Sequence, residues 1–168
     1  MASVFGYNTP GNMRVFYPEE TPRPAVNEGS VMEFLYSNPE TSIFAYIVDR
    51  ANLAWLLDGP MFDSTVFVPL NSELEKLYSV SFFKNINQEL ANRIVRYSIL
   101  KTRIEYWLLA TMNYAALVPH KSYDRIEMYN VGGQITLNDS VHVFDHDKVC
   151  KNGVVLFTND LLLPYDYS

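Results

Sequence analysis

Apolar side chains recur at helical spacing through most of residues 30–110. Residues 30–33 form a capping box, because Ser30 can accept a hydrogen bond from a free helix N–H and Glu33 can reach back to the cap. After a cap at Thr41 or Ser42, apolar residues follow at the spacing of one helix face: Ile43, Phe44, Ile47 and Val48. We predict further short helices in four places: from Asn52 to residue 57, over 71–78 with Asn71 as the cap, over 87–100 and over 103–110.

The pattern changes to β-branched and alternating segments in the last third of the chain. One short buried strand is predicted earlier, at residues 65–68. The other candidate strands are 114–118, 125–130, 134–137, 141–145 and 154–162. Turns that contain glycine are expected at 130–133 and 151–153, since glycine tolerates positive φ. Helices first and antiparallel strands second predict an α+β fold.

Length and charge narrow the class of protein. The chain has 168 residues, which is typical of one domain and enough to bury a core without a disulfide or a metal. Its 13 basic and 19 acidic residues give a net charge of −6, so it is a poor candidate for binding nucleic acid, where Lys and Arg must neutralise phosphates. A single cysteine, Cys150, excludes an intrachain disulfide.

Nothing in the sequence indicates a membrane span or an export signal. No apolar run approaches the ~20 residues that a transmembrane helix needs. The N-terminus lacks both the basic start and the apolar stretch of a secretory signal. We therefore expect cytoplasmic synthesis.

Residues 1–29 differ in composition from the rest of the chain. They contain four of the nine prolines, with aromatic side chains between them. We interpret them as an extended arm whose spaced apolar groups suit a groove on another protein; an extension folded back over its own domain explains the pattern equally well. Residues 30–164 are then the folded domain, and 165–168 a short tail. The predicted partner-binding residues on the arm and the tail are all aromatic: Phe5, Tyr7, Phe16, Tyr17, Tyr165 and Tyr167.

Few residues suggest catalysis or metal binding. Cys150 and His146 are close in sequence, but a small buried thiol explains Cys150 better than a catalytic pair does. On a regular strand, His142 and His146 share one face while Asp145 and Asp147 share the other, which divides the ligands and disfavours a metal site. We expect no catalytic residue, no cofactor and no metal.

Two surface patterns have ordinary explanations. The segment 138–140 is a glycosylation acceptor only in a secreted chain, and we interpret it as a polar turn between strands. Four basic residues collect near one helix end, with Glu89 and Glu105 beside them: Arg93, Arg96, Lys101 and Arg103. This mixture is typical of a solvated face rather than of a nucleic-acid site.

Three segments, in this order, resemble a fasciclin domain over residues 30–164. Residues 65–74 are similar to the first signature of that family, a strand that ends in proline before a helix capped by Asn71. Residues 96–100 take the place of the family's Tyr-His pair. Residues 152–164 resemble the second signature, a turn followed by a long strand that ends in Leu-Pro.

The resemblance implies a fasciclin-like β-wedge or sandwich of antiparallel strands with packed N-terminal helices, used for binding and adhesion rather than for catalysis. Ser98 and Leu156 stand where the family often has histidine, so its receptor recognition transfers poorly to this chain. The family's signatures imply six positions that support the fold, among them a buried tyrosine with a satisfied hydroxyl and a turn glycine: Thr65, Asn71, Tyr97, Asn152, Gly153 and Pro164.

These observations lead to the hypothesis of a non-enzymatic structural protein that binds other proteins. We expect a fasciclin-like subunit that its extended termini anchor in a larger assembly, such as a minor capsid or cement protein of a large virus, synthesised in the cytoplasm and incorporated in the virion. The alternative is an extracellular cell-adhesion module that binds a surface receptor or a matrix protein. A third hypothesis is an enzyme that uses residues 142–147.

Overall fold

A computed structural model describes residues 25–122 and 124–164 of the chain. Seven α-helices lie within these residues; most of them are short, and six of them lie before residue 98. They are α1 (Val31–Ser37), α2 (Ser42–Arg50), α3 (Ala54–Asp58), α4 (Asn71–Leu74), α5 (Val80–Lys84), α6 (Gln88–Tyr97) and α7 (Tyr106–Leu109). A 3-10 turn, Pro39–Thr41, joins α1 to α2.

The strands form one sheet. They are β1 (Ser64–Pro69), β2 (Ile99–Leu100), β3 (Tyr114–Leu117), β4 (Ile126–Val131), β5 (Gln134–Leu137), β6 (Val141–Cys150) and β7 (Gly153–Thr158). Their order across the sheet is β2-β1-β7-β6-β5-β4-β3, which places β2 at one edge and β3 at the other. The α+β fold with N-terminal helices predicted from the sequence is confirmed.

The expectation of antiparallel strands throughout is wrong for one pair. β1 runs parallel to β7 from Ser64↔Gly153 to Pro69↔Thr158, whereas the other pairs in the described sheet are antiparallel. Parallel neighbours need a long connection between them. The helices and hairpins that lie between β1 and β7 in the sequence provide it.

β1 and β7 lie between two separate cores. Every residue of both strands is buried. Alternate side chains contact different clusters: Val66 and Val155 pack with the helices, whereas Phe67 and Leu156 pack with the inner faces of β4, β5 and β6. This is the pattern expected of a strand that is covered on both faces. The helices therefore form one layer, and the far half of the sheet folds over to form the other.

A β-bulge in β6 accompanies this change of direction. The register with β7 shifts between Val143 and Asp147, while the rest of the ladder stays regular. A bulge bends its strand and increases the local twist. β6 thus belongs to both halves of the sheet, pairing with β5 before the bulge and mainly with β7 after it.

The last turn of α6 differs from its predicted end. The helix expected over 87–100 ends at Tyr97, and Ile99–Leu100 instead pairs with β1 as β2. Ser98 is the C-cap of the helix, and its hydroxyl donates to the carbonyl oxygen of Ile94 at 2.8 Å. The apolar period continues past the true end, which is why the sequence pattern extends the helix too far.

Asn71 stabilises a helix other than its own. No side chain caps α4, which begins at Asn71, so the predicted role as its cap is wrong. Instead, the Oδ1 atom of Asn71 accepts from the N–H of Ile43 at 3.0 Å, in the first turn of α2. Its Nδ2 donates to the carbonyl of Pro39 at 2.9 Å and to the Ser42 hydroxyl at 2.7 Å. Thr41 does not cap α2 either, because its hydroxyl donates to a carbonyl of α1.

Asn152 has the same role at the other end of the central strands. It lies in the turn before β7, and its Oδ1 accepts from the N–H of Val31, the first residue of α1, at 2.8 Å. Its Nδ2 donates to the carbonyls of Leu57 and Gly59 at 2.9 and 3.0 Å, at the end of α3. Two buried asparagines therefore fix the helical layer to the two ends of β1 and β7.

We expect Asn71→Ala to lower the free energy of unfolding by about 2–4 kcal/mol. The buried N–H of Ile43 and the carbonyl of Pro39 lose their partner, and each unsatisfied group costs roughly 1–3 kcal/mol. Urea unfolding followed by circular dichroism measures the change. As a control, the same substitution at the exposed Asn85 is expected to change stability by less than about 0.5 kcal/mol. Equal losses in both variants would contradict this role of Asn71.

Candidate functional site

Most of the signature residues are buried among backbone groups of the fold. The hydroxyl of Thr65 accepts from the N–H of Ile104 at 2.7 Å and donates to the carbonyl of Thr102 at 2.8 Å. At Gly153, an added Cβ would lie 2.7 Å from the carbonyl oxygen of Ser64. Asn71 and Asn152 join helices to strands, and Pro164 is buried at the end of the described chain. Thr65, Asn71, Asn152 and Gly153 therefore support the fold.

Tyr97 joins α6 to the far half of the sheet. Its side chain is 1% exposed. Its hydroxyl donates to the carbonyl of Arg125 at 2.9 Å and accepts from Nδ2 of Asn138 at 2.9 Å. The Oδ1 atom of Asn138 accepts in turn from the N–H of Glu127 at 2.9 Å. Asn138 lies in the predicted polar turn, and both the nitrogen and the oxygen of its amide are therefore hydrogen-bonded inside the domain.

The two positions at which the fasciclin pattern often has histidine are buried. Ser98 is 1% exposed and bonded to its own helix, and Leu156 has no exposed surface. Neither side chain ionises, and neither reaches the surface. These positions serve packing in this chain and do not contact a partner directly.

An acidic cleft opens beside Tyr97. Its volume is about 340 Å³, and three carboxylates line it: Glu127, Asp139 and Asp160. Asp160 accepts from the hydroxyl of Tyr78 at 2.9 Å and from the N–H of Leu161 at 2.7 Å, so its position is fixed. No group of His, Cys, Asp and Glu among the described residues has the arrangement of a metal site.

Tyr129 connects this cleft to an exposed face of the sheet. Cross-strand pairing aligns one outward-facing row over β3, β4, β5 and β6: Tyr114, Tyr129, Thr136 and His142. Tyr114 and Tyr129 have their ring centroids 5.1 Å apart and are 48% and 41% exposed. Val131, two residues after Tyr129, is 75% exposed on the same side. We call the surface formed by Tyr114, Glu127, Tyr129 and Val131 the tyrosine face.

A hydrogen bond orders the edge of the tyrosine face. The hydroxyl of Tyr114 donates to a carboxylate oxygen of Glu127, which raises the pKa of Tyr114. The phenol therefore keeps its proton at neutral pH and holds Glu127 in place. Large apolar rings beside a fixed carboxylate form a surface with both dry and polar parts, which is typical of protein interfaces.

Sequence reasoning missed the tyrosine face. The sequence predicts the strands that contain Tyr114 and Tyr129, but the predicted bounds alone do not show that these two side chains are neighbours on the outer face of the sheet. Alternation along 125–130 places Ile126 and Met128 on one side and Tyr129 on the other, and this signal was present in the sequence. That Tyr114 lies opposite Tyr129 depends on the strand register, which the sequence pattern alone does not fix.

Residues 142–150 are not arranged as a catalytic or metal-binding set. The bulge in β6 interrupts the regular alternation expected there, and Asp145 and His146 are both exposed although they are consecutive. The ring of His146 stacks on Phe157 with centroids 4.9 Å apart. Burial raises the pKa of the Cys150 thiol, although Lys148 and Arg103 oppose the shift, so the thiol is protonated at neutral pH. A protonated thiol is a weak nucleophile.

The six partner-binding residues predicted on the arm and the tail lie outside the described residues: Phe5, Tyr7, Phe16, Tyr17, Tyr165 and Tyr167. Their role stays a prediction, as do the boundaries of the arm, the domain and the tail.

Comparison with known proteins identifies the scaffold. Residues 39–164, three-quarters of the chain, match the family model described as "Fasciclin domain". The structure is similar to that of a FAS1 domain pair from the insect cell adhesion molecule fasciclin I, with a TM-score of 0.63 and 18% sequence identity. The match covers 83% of this chain and 52% of that one, so this chain spans about half the length of the domain pair. No curated protein matches the sequence. Over the described residues, no helix combines the length and the apolar character that crossing a bilayer requires.

We expect Tyr97→Phe to lower the free energy of unfolding by about 1–3 kcal/mol, because Nδ2 of Asn138 and the carbonyl of Arg125 lose their shared partner. Urea unfolding measures the loss. Tyr129→Phe removes the same oxygen from an exposed ring, and we expect it to change stability by less than about 0.5 kcal/mol. A Tyr97→Phe variant as stable as Tyr129→Phe would show that the hydroxyl of Tyr97 is not structural.

Proposed function

Because the chain belongs to the fasciclin-domain family, as its sequence resemblance indicated, we propose that it is a non-enzymatic protein-interaction module that docks a partner on the tyrosine face. The observation behind this proposal is the pair Tyr114 and Tyr129, exposed side by side on the neighbouring strands β3 and β4. Tyrosine is enriched at protein interfaces because its ring buries apolar area and its hydroxyl tolerates water. Such a surface binds without a chemical step.

Charge indicates the kind of partner. Glu127 lies on the tyrosine face, and Asp139 and Asp160 line the cleft that Tyr129 shares. The whole chain has a net charge of −6. A partner segment with Arg or Lys side chains would place them over the two rings and against these carboxylates, combining cation–π attraction with charge complementarity. We infer that the partner is basic where it meets this face.

Two settings suit such a module. In the first, the domain is a subunit of a larger assembly, and aromatic residues of the arm and the tail anchor it there; a viral capsid is one assembly of this kind. The proline-rich and aromatic composition of residues 1–29 supports this setting. In the second, the domain is an extracellular adhesion module that binds a receptor or a matrix protein. Membership of the fasciclin family and the similar fold of an insect cell adhesion molecule support that one.

A photo-crosslinking experiment tests the tyrosine face. We expect benzoylphenylalanine at position 131 to crosslink a partner through a segment rich in Lys or Arg, whereas the same residue at position 76 does not. Val131 is 75% exposed on this face, and Lys76 is an exposed residue of the segment after α4. Mass spectrometry of the crosslinked peptides identifies the partner segment.

The purified partner then provides the decisive measurement. We expect the double variant Tyr114→Ser, Tyr129→Ser to weaken its Kd by about tenfold or more, as is usual when central aromatic anchors are removed. Lys76→Gln serves as the matched surface control and should leave Kd unchanged. Crosslinking at both positions alike, or an unchanged Kd in the double variant, would reject the tyrosine face as the docking site.

Deletion of residues 1–28 separates the two settings. We expect the shortened chain to fold, because the described helices and strands all begin after residue 30, although it loses the core contact of Val26 and the hydrogen bonds from Asn27 to Asp58. If the arm anchors a subunit, its incorporation into the native assembly is lost, while binding of the isolated partner to the tyrosine face persists. Quantitative immunoblotting of purified assemblies measures incorporation. Unchanged incorporation would reject the role of the arm.

A further inference from the structure

A second cleft, basic rather than acidic, lies on the other side of the C-terminal segment. Its volume is about 410 Å³. Residues from three parts of the fold line it: Asn92, Arg93 and Arg96 of α6, Lys121, Ser122 and Asp124 of the loop before β4, and Pro164. Leu163, one residue earlier, lines the acidic cleft. Two clefts of opposite charge therefore flank residues 161–164.

The loop that supplies Lys121 is fixed to the sheet. The N–H of His120 donates to the carbonyl of Ile99 at 2.6 Å, and the N–H of Lys101 donates to the carbonyl of Val118 at 3.0 Å. Together with the antiparallel bridge between Leu100 and Pro119, these bonds join the residues that follow β3 to β2. The backbone of the residues just before Lys121 is therefore held to β2 and to the residue after it.

His120 lies beside two of the residues that line this cleft, Arg96 and Lys121. Nη1 of Arg96 lies 3.5 Å from Nδ1 of His120. Arginine can only donate, so Nδ1 is the acceptor in any hydrogen bond between these two atoms. Burial lowers the pKa of His120, and Arg96, Lys121 and Lys101 lower it further. Cations from α6, from the loop and from the end of β2 therefore converge on one neutral imidazole.

The cluster is unusual in an acidic chain. Asp124 is the one carboxylate among the described lining residues, against Arg93, Arg96 and Lys121. The sequence grouped Arg103 with these cations, but its guanidinium donates instead to Asp63 at 3.1 Å and to the carbonyl of Cys150 at 3.1 Å. Arg103 is thus paired elsewhere, whereas Arg93, Arg96 and Lys121 line one cavity.

We propose that this basic cleft binds the carboxylate side chains of an acidic segment in a partner protein. The opening has room for a few side chains, and the guanidinium of Arg96 with the ammonium of Lys121 supplies donors that match carboxylates. A nucleic acid fits less well, because its phosphates extend past the cleft and meet a protein of net charge −6. The site is separate from the tyrosine face and of opposite charge, so it gives the module a second contact.

Titration of the full chain with a hexaglutamate peptide at low ionic strength tests the proposal. We expect the NMR signals of Lys121, Ser122 and Asp124 to shift and to saturate with peptide. The pKa of His120 is expected to rise on binding, since nearby carboxylates favour the imidazolium form. Lys121→Gln and Arg96→Gln should each weaken the peptide's Kd by about two- to fivefold, which is the range for one exposed ion pair.

Matched controls make each outcome decisive. Lys76→Gln removes one exposed positive charge outside the cleft and should leave the Kd unchanged. An equal loss in Lys76→Gln, or shifts spread over the whole surface, would show non-specific attraction and overturn the proposal. Saturating binding of inorganic phosphate that is tighter than that of hexaglutamate would also overturn it, because the cleft would then be a phosphate site. Lys121 is exposed, so its variant is expected to fold even if Arg96→Gln does not.

Discussion

The burial of β1 and β7 on both faces is the constraint on which the rest of the structure depends. Two parallel strands with no exposed residue need a layer on each side. The helices supply one layer, and the sheet itself supplies the other by bending at the bulge in β6. Asn71 and Asn152 fix the helical layer at the ends of these strands by binding the first turns of α2 and α1. The side chains that cap α1 and α2 therefore lie at the ends of the same two strands that the bent sheet covers.

Local signals predicted much of this fold, and non-local contacts account for the differences. The strand at 134–137 and the cap at Ser30 depend on neighbouring residues, and the structure has both. The other half of the predicted capping box differs, because Glu33 accepts from the N–H of Gly29 and not from that of Ser30. The caps of α2 and the pairing of β2 depend on residues far apart in the sequence. Thr41 and Ser42 have the right chemistry at the right place, but Asn71 reaches the free N–H of Ile43 instead. No periodicity rule detects a cap that comes from another element.

The same distinction applies to the candidate site. The signature residues are recognisable in the sequence because they recur in one order, and those that lie in the core support the fold rather than bind a ligand. The tyrosine face and the basic cleft form only when distant segments meet, as when Tyr114 aligns with Tyr129 or Lys121 approaches Arg96. Binding surfaces of this kind follow from strand register and loop anchoring, and residue types alone indicate them weakly.

The hydrogen bonds of the Asn138 side chain bear on whether this residue can be glycosylated once the domain has folded. Both ends of its amide are engaged inside the folded domain, with the hydroxyl of Tyr97 and the backbone of Glu127. An oligosaccharide on Nδ2 would need that nitrogen to face solvent. A sugar on Nδ2 leaves that nitrogen a single N–H, so in the folded domain the sugar and the Tyr97 hydroxyl would share one nitrogen. The Asn-x-Ser triplet is used as an internal brace, whichever compartment the protein occupies.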